Sequence, residues 1–154
     1  MDPALLDRAY DFILRRMVEG GEPPHFSDLA RAFSIAPEDG KALLRELMDT
    51  GIPCWLYPDT DYIASFAPFN LQPTHYRIAV DGQRRGFGQC GFEALAVTWL
   101  YPGRTVAVDS VCLDCGEPIR LEMRDGKLLG SAPAGLHGYV DVPFGEWPKN
   151  RAYS

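Results

Sequence analysis

A change in hydrophobic spacing partway along the chain most constrains its fold. Up to residue 51, apolar side chains recur at helical spacing, and beyond it short alternating runs are separated by turn residues. The spacing predicts helices over 2–19, 28–33 and 37–48 and strands over 52–57 and 62–66. Ser27 is the predicted N-cap of the second helix. Three helices followed by a two-stranded wing predict a winged-helix-like helical domain over residues 1–70.

Residues 71–154 are predicted to form a second domain of short strands with one helix. The turn pairs Asp81-Gly82 and Asp125-Gly126 each separate two strand-like runs. The predicted strands are 76–80, 84–88, 105–111, 119–123, 127–129 and 136–142, and the predicted helix spans 92–100. The fold class expected is α+β, with the winged-helix-like unit packed on a small mixed β-sheet domain.

Charge and hydropathy restrict the partners of the protein. The net charge of −6 and the pI near 5.0 argue against nucleic acid and against an anionic membrane surface, because both attract clustered Lys and Arg. The third predicted helix carries more acidic than basic side chains: Glu38, Asp39, Glu46 and Asp49 against Lys41 and Arg45. With no membrane-length apolar run and no secretory signal at the N-terminus, the cytoplasm is the expected location.

The four cysteines carry most of the functional information. Without an export signal, they are better interpreted as thiols, metal ligands or nucleophiles than as a disulfide framework. Cys90 lies at the start of the predicted helix, where the helix dipole is expected to favour thiolate, and Glu93 follows on roughly the same face. This pair predicts a nucleophile or soft-metal ligand next to a proton acceptor. The alternative is a buried structural thiol, which is common for cysteine in general.

A second cysteine motif, Cys112-x-x-Cys115-Gly116, has three interpretations. It resembles one half of a zinc knuckle, although a closed zinc site would need two further ligands. It also fits a soft-metal or reactive dithiol, and the third interpretation is a pair of thiols without chemistry. The candidates for further zinc ligands are Cys54, Cys90, His75 and His137.

Several short motifs together resemble the central region of the alkylmercury lyases. They are Tyr76–Gly82, Cys90-x-x-Glu93-Ala94-Leu95, Gly103–Val106, Cys112, Gly116–Leu121 and Pro133–Gly135. The family is similar in the N-terminal part as well, where it has a winged-helix-like domain. The resemblance implies protonolysis of a carbon–mercury bond: one cysteine captures the organomercurial, a second joins it on mercury, and a carboxylate moves the proton to carbon.

The resemblance assigns roles to individual residues and shows two departures. Cys90 matches the first cysteine, and Glu93 stands where the family usually has aspartate. Ser154 stands where the family has its second cysteine. Serine binds mercury poorly compared with thiolate. Either the lyase reaction has been lost, or Cys112 or Cys115 takes the second role, or the sequence ends before the usual C-terminus.

The resemblance also implies the ligands of the protein. Mercury(II) would be a ligand of the substrate and product, no cofactor would be required, and low-molecular-weight thiols would be partners. One alternative function is a non-catalytic protein that binds soft metals or thiols. A second is a winged-helix DNA-binding regulator, which the acidic third helix disfavours. The sequence leaves the natural substrate and the oligomeric state open.

Overall fold

The computed structural model describes residues 2–139, 143 and 146. It divides into two compact units, the first ending at Phe66 and the second beginning at Ala67. The boundary proposed from the sequence, at residue 70, lies slightly later in the chain. Helices and antiparallel strands are both present, so the α+β class is confirmed.

Unit 1 contains three helices and a short antiparallel hairpin. The elements are α1 Pro3–Gly20, α2 Phe26–Phe33, α3 Pro37–Met48, β1 Cys54–Leu56 and β2 Ile63–Phe66. Asp2 caps α1 by accepting from the Ala4 N–H, and Gly21 ends the helix in the left-handed conformation. These are the elements expected of a winged helix, and that arrangement stays a prediction.

The second helix begins two residues before the position expected. Its N-cap is His25 and not Ser27, because the His25 ring nitrogen can accept from the Ser27 N–H. The Asp28 carboxylate accepts in turn from the His25 N–H at 2.8 Å, which completes a capping box. A histidine cap is not among the usual N-cap residues, so the sequence pointed to the serine that follows.

Unit 2 is built on one sheet and one short helix. Its elements are β3 Phe69–Asn70, β4 Arg77–Val80, β5 Gln83–Gly88, α4 Gly91–Ala96 continued by a 3-10 turn Val97–Leu100, β6 Val106–Val111, β7 Pro118–Arg124 and β8 Lys127–Ala132. The strand order is β3-β5-β4-β6-β7-β8. The buried centre of the unit combines aliphatic residues of β4 and β6 with those of the helical segment: Ile78, Val80, Val106, Val108, Ala94 and Val97.

The expectation of a mixed sheet was wrong. Each strand pair within the described part of unit 2 is antiparallel. Asp81-Gly82 and Asp125-Gly126 have positive φ and form tight hairpin turns, which only antiparallel neighbours allow. The helix between β5 and β6 is a crossover connection: these two strands run in the same direction, but β4 lies between them and pairs antiparallel with both.

The strand predicted over 136–142 is also wrong for its described part. Residues 136–139 have no regular secondary structure, and 140–142 lie outside the described residues. A Cβ built on Gly138 would lie 3.5 Å from Cζ of Phe92 on α4. The segment therefore runs past the helix and adds no strand to the sheet there.

Among residues 2–139, none of the helices combines the length and the apolar character that a bilayer span requires.

Candidate functional site

Helix α4 is held against β5 by a close approach at Gly88. The Gly88 N–H donates to the Tyr76 carbonyl at 2.9 Å, and the Thr74 hydroxyl donates to the Gly88 carbonyl at 2.7 Å. A Cβ built on Gly88 would lie 2.6 Å from Cβ and 3.0 Å from Cα of Ala94. The absence of a side chain at this position therefore sets the position of α4, and with it that of Cys90 and Glu93.

Replacing Gly88 by alanine is expected to destabilise the protein by about 1–3 kcal/mol, because the new methyl group would push against the backbone of α4. The measurement is urea unfolding followed by circular dichroism. Gly130→Ala is the matched control, since a Cβ at Gly130 on β8 would meet nothing within 4 Å. Equal stability of the two variants would contradict the close approach.

Cys90 is the N-cap of α4. Its backbone is extended, with φ −140° and ψ 176°, and its sulfur accepts from the Glu93 N–H at 3.5 Å. The side chain is half-buried and its thiol is free. The sequence therefore placed the thiol correctly at the helix start, three residues before the carboxylate.

The expected stabilisation of the Cys90 thiolate is not found. Burial raises the pKa of the Cys90 thiol, and this effect outweighs the N–H groups of Glu93 and Phe92 that face the sulfur. The negative charge of Glu93 raises the pKa further. Because α4 has only six residues, few peptide dipoles oppose the cost of burying the charge. The free protein holds Cys90 mainly as thiol near neutral pH.

The Glu93 side chain is an acid–base partner of this thiol. Burial raises the pKa of the Glu93 carboxyl, and hydrogen bonds with the side chain and backbone of Cys90 partly oppose that rise. Tyr76 lies next to the start of α4: its ring would be 3.3 Å from a Cβ built on Gly91. Burial and, to a lesser extent, the charge of Cys90 raise the pKa of the Tyr76 phenol. The Cys90 thiol therefore has two partly desolvated groups near it, the Glu93 carboxyl and the Tyr76 phenol.

Tyr76 and Gly88 were not singled out as site residues from the sequence. Two strands, β4 and β5, separate Tyr76 from Cys90 along the chain, so the sequence gives no local sign that the two residues are neighbours. Gly88 lies two residues before Cys90 and Gly91 directly follows it. A Cβ at Gly88 would meet Ala94, and a Cβ at Gly91 would meet the Tyr76 ring. Glycine on each side of a cysteine was the one available indication of crowding around the thiol.

The other two sequence-predicted thiols lie together in the loop between β6 and β7. The Cys112 N–H donates to the Glu117 carbonyl at 2.8 Å, which extends the strand pairing by one residue and closes the loop 113–116. Gly116, with φ 75°, donates back to the Cys112 carbonyl at 2.9 Å. The N–H groups of Cys115 and Asp114 and the side chain of Cys115 lower the pKa of the Cys112 thiol. Cys115 is exposed and Cys112 is half-buried.

Cys90 and Cys112 leave the sheet at the same end. Arg77 of β4 pairs with Phe87 of β5 on one side and with Asp109 of β6 on the other. Each cysteine lies just beyond its strand, so the two thiols flank the start of β4. Two strand spacings separate the flanking strands by roughly 10 Å.

The structure does not combine these thiols into a multi-ligand metal site. Within the described ranges, no group of three or more His, Cys, Asp or Glu side chains is placed to hold a metal ion. The shared set of Cys90, Cys112 and Cys115 is therefore not assembled here, and zinc at the Cys112–Cys115 pair is not supported. Ser154, the position of the second cysteine in the resemblance, lies outside the described residues.

Comparison with known proteins agrees with the motifs. The family model described as alkylmercury lyase (MerB) matches residues 69–154, more than half of the chain. Alkylmercury lyases from Bacillus cereus and Clostridium butyricum are each 28% identical over 121 residues, which is 79% of this chain and 52% of the relative. The chain thus spans about half the length of these curated relatives.

The fold is similar to that of a solved structure. A crystal structure described as the mercury-bound form of MerB2 superposes with a TM-score of 0.62 and 21% sequence identity. The match covers 85% of this chain and 68% of that chain. At this identity the similarity is evidence for the fold alone.

Proposed function

Because the chain belongs to the alkylmercury lyase family, we propose that it cleaves the carbon–mercury bond of organomercurials by protonolysis at Cys90 and Glu93. The observation that carries the proposal is the placement of this thiol and this carboxyl together at the start of α4. The Glu93 N–H donates to the Cys90 sulfur, and the two side chains interact and are both partly desolvated. Soft thiolate suits mercury, and a carboxyl with a raised pKa suits proton transfer near neutral pH.

The reaction moves one proton by way of Glu93. A sulfur–mercury bond forms at Cys90 while the thiol proton passes to the Glu93 carboxylate. The resulting carboxylic acid then donates that proton to the carbon atom on mercury. The electron pair of the carbon–mercury bond becomes the carbon–hydrogen bond, the hydrocarbon leaves, and mercury(II) stays on Cys90. The raised pKa of Cys90 makes the thiol the resting form, so the proton is already present when the substrate arrives.

A low-molecular-weight thiol supplies the second sulfur on mercury in this proposal. Cys90 follows β5, whereas Cys112 and Cys115 follow β6. These two strands are about two strand spacings apart, because β4 lies between them. A small thiol from solution can approach mercury at Cys90 directly, because Cys90 is only half-buried. The same thiol carries mercury(II) away after the carbon–mercury bond is broken.

In this proposal, unit 1 is a winged-helix-like domain that has a structural role and does not bind DNA. The basic side chains of α3 that could face phosphate are already paired with one carboxylate: Lys41 Nζ and Arg45 Nε each lie 2.7 Å from Asp61. A helix whose cations are neutralised in this way has little attraction for a phosphate backbone.

The location proposed for the whole protein is the cytoplasm, where small thiols are abundant.

The test is release of benzene from phenylmercury acetate in excess small-molecule thiol, carried out in D₂O. Protonolysis predicts catalytic benzene release with one deuterium atom per molecule, measured by mass spectrometry. The control is the same mixture without protein. Stoichiometric capture of phenylmercury without benzene would overturn the lyase proposal and leave a soft-metal binding protein.

Glu93 should also make folding stability depend on pH. Because its pKa is raised in the folded protein, the folded state retains a proton that the unfolded state loses, and stability falls as pH rises above the ordinary glutamate value of about 4.3. Glu93→Gln removes this dependence. We therefore expect the melting temperature of the variant to gain on that of the wild type as pH increases from about 4 to 7.

Differential scanning calorimetry across this pH range measures the effect. Glu22→Gln, at an exposed position in unit 1, is the control for loss of a carboxylate. A gap between Glu93→Gln and wild type that stays constant or closes with rising pH would contradict a raised carboxyl pKa.

A further inference from the structure

The loop that carries Cys112 and Cys115 has a geometry of its own. Strand pairing between β6 and β7 continues through the Cys112 N–H and the Glu117 carbonyl, so both ends of the loop are held by the sheet. Gly116 adopts the positive φ that turns the chain back. Two backbone N–H groups and the Cys115 side chain face the Cys112 sulfur. The two thiols are therefore neighbours, oriented by backbone, at an exposed edge of the unit.

We propose that Cys112 and Cys115 form a second soft-metal site, separate from Cys90, that binds mercury(II) through two thiolates. This site does not depend on lyase activity, since it needs only the metal ion. Its place at the same end of the sheet as Cys90 would let it receive the inorganic product of the reaction above.

The number of ligands selects the class of metal. Zinc in structural sites takes four ligands, and no group of three or more suitable side chains occurs in the part of the chain that the structure describes. Mercury(II) differs from zinc because it forms stable linear complexes with two thiolates. Soft sulfur ligands favour such metals over the hard cations Mg²⁺ and Ca²⁺. A pair of adjacent thiols with an open face thus fits a two-coordinate soft ion.

Binding is a ligand exchange that involves no oxidation or reduction. Mercury(II) arrives as a complex with two small thiolates. Two mercury–sulfur bonds to these carriers break, and two form with Cys112 and Cys115. The protons of the two cysteine thiols move to the two released thiolates, which leave as neutral thiols. The exchange gains from joining both sulfurs in one chain, because the second bond forms at high effective concentration.

The experiment measures mercury(II) binding in Cys90→Ser protein, so that the first site is absent. Mercuric ion is supplied with excess glutathione, and the metal retained per chain is measured by native mass spectrometry. We expect one mercury per chain. Adding Cys115→Ser or Cys112→Ser should weaken binding by on the order of 10²-fold or more, since the chelate is lost. Leu113→Ala is the matched control in the same loop, because this side chain is 72% exposed.

Cys115→Ser is the decisive variant, because its side chain is exposed and its replacement does not disturb the core. Unchanged mercury retention in that variant, or no retention in Cys90→Ser alone, would overturn the proposal. So would one zinc ion per chain that survives dialysis against a chelator, since this requires a closed site with more ligands. A protein without lyase activity that still binds mercury at the loop would support this site and refute only the lyase proposal.

Discussion

Cys90→Ser is expected to reduce benzene release from phenylmercury by at least about 10³-fold, as for other enzymes that lose their nucleophile. A serine hydroxyl is a hard ligand that mercury binds poorly. The substitution also removes the thiol that gives its proton to Glu93. The measurement is single-turnover benzene release with protein in excess over phenylmercury.

Cys115→Ser is the matched control for this result. It removes an exposed thiol from the same unit and should leave turnover close to that of the wild type, because a small thiol supplies the second ligand. If both variants lost activity equally, capture would not belong to Cys90 alone. Circular dichroism of both proteins checks that the overall secondary structure is preserved.

Glu93→Gln is expected to lower the rate of benzene release by roughly 10²- to 10⁴-fold, the usual contribution of a positioned proton donor. The amide keeps the size of the side chain but neither accepts the Cys90 proton nor returns it. Capture of phenylmercury should remain, because Cys90 is unchanged. The loss should therefore appear in the rate of the chemical step and not in the amount of mercury bound.

Glu93→Asp is the informative partner of this variant. It retains the carboxylate and restores the residue that the family resemblance implies at this position. Activity at or above the wild-type level is the expected result, since a shift on the order of 1 Å can change a rate by roughly 10²-fold. A Glu93→Gln variant as active as Glu93→Asp would show that the proton reaches carbon by another route.

The helices and hairpins whose ends are marked by proline, glycine or Asp-Gly pairs could be predicted from the sequence. Proline at the start and glycine after the end define α1, and a proline at its first turn defines the start of α3. The two hairpins of unit 2 follow from Asp81-Gly82 and Asp125-Gly126, whose positive φ such turns require. In these places one or two neighbouring residues determine the backbone.

Features that depend on distant residues could not be predicted in this way. The position of β6 next to β4, which makes the sheet antiparallel, is a matter of long-range packing. The direction of the Cys90 pKa shift is another case: the helix start was visible in the sequence, but burial by the surrounding unit was not. The proximity of Cys90 and Glu93 was expected from their spacing at a helix start, and the hydrogen bond from the Glu93 N–H to the Cys90 sulfur agrees with it.

The strand order has a consequence for how such a protein can diversify. One continuous stretch, from Tyr76 to Cys115, carries the phenol, the carboxyl and the thiols of Cys90, Cys112 and Cys115, and within it β4 pairs with both β5 and β6. The geometry of these reactive groups is therefore held by pairing among three strands of the same stretch. Mutation elsewhere can therefore change size, surface and partners while the reactive groups stay in register, so chemistry and surroundings are free to evolve at different rates.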